Sequence, residues 1–191
     1  MEGLASSGER ATGFRALFDD ERAFRAWYQD AIPRVYGYVY DRCGGMTAVA
    51  EELTQEAFIE AVRNRAAFDG RSDPLTWVIA IARHKLADHY RRLSREERRH
   101  LKLVSDRAVE ATGEDPWSAA ESREDVLRAL RSIPATQMAV LVMHYLDGLT
   151  MSEIATELGR SESSVESSLS RGRESLRRKL AGSDEEEERD G

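Results

Sequence analysis

Between Ala50 and Arg92, apolar residues recur every third or fourth position, a period that admits helices and little else. The first segment runs from Ala50 to Val62. Leu53, Ala57, Phe58 and Ala61 form its apolar stripe. Glu51, Glu52, Gln55, Glu56 and Glu60 are its polar, mostly acidic residues, and Ile59 lies on their side. The period breaks at Phe68-Asp69-Gly70-Arg71-Ser72. Asp73 then stands where a helix cap belongs, with Pro74 at the first helical position. The helix that follows contains Trp77, turns basic at Arg83-His84-Lys85 and is predicted to end at Arg91-Arg92. One segment thus joins an acidic helix, a short glycine loop and a basic helix.

The rest of the chain keeps the helical period. Residues 1–19 are rich in Gly and Ser and read as a flexible arm, its end docked by Phe14 and Phe18. Asp20 to Cys43 is helical, with Pro33 expected to break or kink it and Gly44-Gly45 closing the unit. Periodicity lapses over 94–117, where Gly113, Glu114, Asp115 and Pro116 mark a linker. A second helical unit spans 118–181. Val126, Leu127, Leu130 and Ile133 form one stripe, and Met138, Leu141, Val142 and Tyr145 the next. Thr150 and Glu153 make a capping box, Gly159 a turn, and Ser161 a cap for a last helix that buries Val165, Leu169, Leu176 and Leu180. Two short helices around a glycine turn are the helix-turn-helix pattern. Residues 182–191 form an acidic tail expected to be disordered. The fold class is all-α, with two small helical domains on a flexible linker.

A net charge of −7 argues against nucleic-acid binding only if the charge is evenly spread, and it is not. Arg83–Lys102 carries an excess of five positive charges and Arg171–Leu180 an excess of four, while Asp184–Gly191 carries an excess of five negative ones. Cys43 is the only cysteine, so an intramolecular disulfide is excluded and a buried thiol is expected. The first twenty residues lack the apolar core of a signal peptide, and no apolar run reaches bilayer length, so a cytoplasmic protein without membrane insertion is expected. His84, His89, His100 and His144 have no acid or nucleophile at catalytic spacing, and no glycine loop cradles a phosphate. No enzyme, metal or cofactor is predicted.

The pieces "AEELTQEAFIEA", "FDGRS" and "TWVIAIAR", in that order and spacing, resemble region 2 of the sigma-70 family of transcription initiation factors, most nearly its extracytoplasmic-function (ECF) group. "YLDGLTMSEIATELGRSESSVESSLSRGRESLRRKL" resembles region 4 of the same family. The likeness covers about Asp20 to Leu180. It implies that Glu51, Glu52, Gln55, Glu56 and Ile59 dock on the β′ clamp of RNA polymerase core. It further implies that Asp69, Gly70, Arg71 and Ser72 shape a pocket for a base flipped out of the promoter −10 element. Arg83, His84, Lys85, Arg91 and Arg92 would follow the DNA backbone there. Trp77 falls in the same set, although a packed core position accounts for it better than a melting wedge does. His84 stands where relatives often carry Asn. An anti-sigma protein is the further partner the family implies.

For the −35 element the resemblance points to Ser161, Ser163, Ser164, Glu166, Ser167, Ser168, Arg171 and Arg173. Relatives commonly place Lys or Arg at positions 166 and 168. Here the front of the helix is serine and glutamate, so Arg171 and Arg173 are expected to supply backbone affinity while the serines and Glu166 set the preference. The competing reading is a helix-turn-helix regulator with an N-terminal sensor or dimerisation domain. A sensor needs a pocket, whereas this first half offers an acidic helix, a loop and a basic helix.

Overall fold

The computed structural model describes residues 7–101 and 123–190. Among these the chain forms eight α-helices: α1 (Ser7–Ala16), α2 (Glu21–Arg42), α3 (Thr47–Arg63), α4 (Pro74–Leu101), α5 (Arg123–Arg131), α6 (Ala135–Tyr145), α7 (Met151–Leu158) and α8 (Glu162–Asp190). Short 3-10 turns at Leu17–Asp19 and Arg65–Ala67 complete the set. No strand occurs among the described residues. The helices cluster into two compact units, Met1–Tyr40 with Thr47–Leu86, and Asp41–Met46 with Ala87–Gly191.

In the first unit α3 buries Ala50, Leu53, Thr54, Ala57, Phe58 and Ala61, which is the expected stripe with two additions. Ala31, Val35 and Val39 of α2 and Val78, Ala82 and Leu86 of α4 are buried with it. Pro33 does not end α2, which runs through it unbroken. Proline deletes one backbone hydrogen bond and crowds the preceding turn, a cost of about 3 kcal/mol, and the buried residues on either side of it offset that loss.

Of the expected arm, residues 7–19 are structured, and residues 1–6 lie outside the described residues. Ser7–Ala16 is helical although it holds Gly8 and Gly13, each unfavourable by about 1 kcal/mol against alanine. Tertiary packing stabilises it. Phe14 is only 2% exposed and meets the rings of Phe18, Trp27, Phe68 and Trp77 at centroid distances of 4.8–5.7 Å, all edge-to-face.

In the second unit α6 is the central rod, with every residue from Met138 to Met143 buried. α8 closes on it at Gly172, where a Cβ would lie 3.2 Å from Leu141. Val165, Leu169, Leu176 and Leu180 are buried as the spacing predicts. α4 does not end at Arg92. The following residues are good helix formers without Gly or Pro, and the added turns are used: Ser94 shares a 2.8 Å hydrogen bond with Thr136, and Glu97 accepts from the Ala135 amide at 2.5 Å. Glu97 thereby caps α6, whose own N-cap position is Pro134 and has no side-chain cap. In the same unit Arg42 pairs with Asp147 at 2.7 Å. Helix α8 continues to Asp190, through residues expected to form a disordered tail. Of the expected linker, residues 102–117 lie outside the described residues.

Candidate nucleic-acid interface

In α3 the residues that leave the core form a continuous surface. Glu51, Glu52, Gln55 and Glu56 are exposed, and Ile59 is 42% exposed beside them. Ile59 and Leu146 are the two large apolar side chains most open to water among the described residues. Glu60 turns away from this surface, its carboxylate 2.5 Å from Lys85 Nζ on α4.

The loop before α4 is held by its own polar groups. Asp69 accepts from the Arg71 amide at 3.0 Å and pairs with the Arg71 guanidinium at 3.1 Å. Asp73 accepts from the Leu75 amide at 2.8 Å and so caps α4, with Pro74 at the first helical position as expected. Gly70 sits at φ +73°, in the left-handed region, and is buried. Ser72 is partly exposed. Trp77 packs on Phe68 and Phe14 and lies in the aromatic cluster, so its ring does not stand clear of the surface.

Further along α4, His84 is exposed, Arg83 is half-buried with its Nε enclosed and without an acceptor, and Lys85 is held by Glu60. Arg91 pairs with Asp88 at 3.1 Å, and Arg92 lies 3.1 Å from His89 Nδ1. Lys85, Arg91 and Arg92 are thus oriented by neighbouring side chains.

The helix-turn-helix is built as its sequence requires. Thr150 and Glu153 form a complete capping box at α7, Gly159 ends that helix at φ +61°, and Ser161 Oγ accepts from the Ser164 amide at 3.3 Å to cap α8. Ser161, Ser163, Glu166 and Ser167 are exposed along the front of α8. Ser168 is not. It is 2% exposed and donates to the Ser164 carbonyl at 2.8 Å, because it shares the helix face of Val165 and Gly172. Arg171 is exposed, with its Nε on the Ser167 carbonyl. Arg173 is half-buried against Tyr145.

The family descriptions that match are Sigma-70 region 2, over residues 27–96, and Sigma-70, region 4, over residues 123–176. The chain belongs to the sigma-70 family, in its extracytoplasmic-function group. Among curated ECF RNA polymerase sigma factors it is 32% identical to BldN of Streptomyces coelicolor, a match covering 79% of this chain and 58% of BldN. It is 29% identical to SigK of Mycobacterium tuberculosis, over 85% of this chain and 88% of SigK. It is also 29% identical to SigF of Caulobacter vibrioides, over 92% and 95%. The chain thus spans little more than half the length of BldN and nearly all of the other two. A sigma region in each half favours this reading over a regulator with a sensor domain.

Three residues of the sigma factor escaped the sequence pattern. Arg160, in the turn before α8, reaches Ser164 Oγ at 3.2 Å and brings a cation beside a front otherwise made of serine and glutamate. Tyr145 reads as a core position by spacing, yet its hydroxyl orients Arg173. Gly172 sets how closely α8 meets α6. Only Arg160 carried a usable signal, a charge at the cap of a recognition helix. Among the described residues no group of His, Cys, Asp or Glu is placed to hold a metal, and no helix is long and apolar enough to cross a membrane.

Proposed function

We propose that this ECF sigma factor docks on RNA polymerase core through the exposed face of α3, reads the −10 element with the Asp69–Asp73 loop and α4, and reads the −35 element with the front of α8. The observation that carries the reading is the α3 face. Four exposed polar residues, three of them acidic, precede an exposed isoleucine on the same helix, in a chain that also holds a capped helix-turn-helix. An acidic patch beside an apolar anchor suits a basic partner surface.

Its role is to confer promoter specificity by binding, with no active site of its own. It works in the cytoplasm, where polymerase and promoter DNA are found, and an anti-sigma protein is the regulator that the family implies. Arg171, held Arg173 and Arg160 supply backbone affinity at −35, while Ser161, Ser163, Ser167 and Glu166 face the bases. Run-off transcription tests the proposal directly. Core polymerase with this chain should initiate from discrete start sites that core alone does not use. Failure to copurify with core, together with no discrete transcripts, would reject it.

A further inference from the structure

α1 lies outside the residues matched to the family, which begin at residue 27, and yet it is fastened to the loop proposed to hold the flipped −10 base. Arg10 Nε donates to the Gly70 carbonyl at 2.7 Å. Arg15 donates to the carbonyls of Ala66 at 2.9 Å and Phe68 at 3.1 Å. Phe14 enters the ring cluster between these two arginines and packs on Phe68 and Trp77, the residues that flank the loop. Gly70 allows the approach: a Cβ there would sit 1.8 Å from the Ser7 carbonyl oxygen.

These contacts meet a specific need. Three carbonyls at alternate positions, 66, 68 and 70, are bonded by α1 side chains, so α1 fixes the backbone path into the loop. A pocket that accepts an extruded base must return the unstacking energy, and it does so only if its shape is set before the base arrives. Without α1 the same carbonyls are left to water and the loop gains conformational freedom.

We propose that α1 is part of the −10 reading apparatus, with Arg10 and Arg15 as positioning residues that set base selectivity through the Ala66–Gly70 backbone. The proposal rests on the sigma-factor reading above.

The test uses full-length chain reconstituted with core polymerase and a promoter library randomised at both elements, with transcripts sequenced to give preference at each position. R10A/R15A should flatten preference at one or two −10 positions by fivefold or more. Its −35 preference and core affinity should stay within twofold of wild type, and R10K/R15K should recover at least half of the lost discrimination. An unchanged −10 profile overturns the proposal. So does a uniform fall in activity with the profile intact, which is what a merely structural role predicts. Should R10A/R15A not fold by circular dichroism, R10A alone, which keeps both Arg15 bonds and the ring cluster, is judged by the same criterion. Wild-type holoenzyme that selects no promoters defeats the sigma-factor reading itself and the proposal with it, and that result is visible before any variant is made.

Discussion

Arg173 donates from Nε to the Tyr145 hydroxyl at 2.7 Å, and its guanidinium carbon lies 5.6 Å from the centre of the same ring. The pair ties α8 to the end of α6 and orients the Arg173 guanidinium. Tyr145→Phe keeps the ring and removes the hydrogen bond. It should cost about 0.5–1.5 kcal/mol of stability in urea melts. Arg173→Ala should weaken binding about equally on every sequence and lower the salt slope by roughly one, as anisotropy titrations on promoter and scrambled duplexes would register.

Glu166 and Ser168 make a matched pair, one exposed and one buried on the same two turns of α8. Glu166→Ala should relax preference at one −35 base pair by about 1–3 kcal/mol, through loss of an acceptor for cytosine N4. Ser168→Ala should leave the preference untouched. Binding-site selection on both variants separates them, and a shifted −35 logo for Ser168→Ala would contradict its burial.

Reversing Glu52 and Glu56 to Lys should reduce core binding at least tenfold in a pull-down titration while circular dichroism stays unchanged, since substitutions at exposed sites barely affect stability. Glu60→Lys provides a contrast. It sets two cations together where Lys85 now has its partner, and should lower thermal stability by up to about 1 kcal/mol with little direct effect on core affinity.

Burial pushes the Cys43 thiol up from 9.0 to about 11, with no side-chain surface open to solvent. At pH 8 it should therefore react with a disulfide reagent far more slowly in the native protein than in urea. The sign for stability follows from the raised value. The contribution is fully present below pH 9 and is lost as pH climbs through 11, because the unfolded thiol releases its proton first. Cys43→Ala should remove that alkaline decline from a series of melts.

The local grammar was legible in the residues. Asp73-Pro74, Thr150 with Glu153, Gly159 and Ser161 each start or stop a helix where the spacing says they should, because capping is chemistry within a few residues of chain. The apolar stripes of α3 and α8 named their buried faces for the same reason, since a period of 3.6 fixes which side chains share a side. Tertiary structure alone decided the rest. Pro33 and the glycines of α1 are unfavourable locally and are overridden by burial contributed from residues distant in sequence. Ser168 is polar and still buried, because its own helix carbonyl satisfies its hydroxyl. Arg10 and Arg15 looked like part of a loose arm until Gly70, Phe68 and Ala66 came within reach. Their partners lie more than fifty positions away, and a charge pattern along a chain carries no record of which distant carbonyls it will meet.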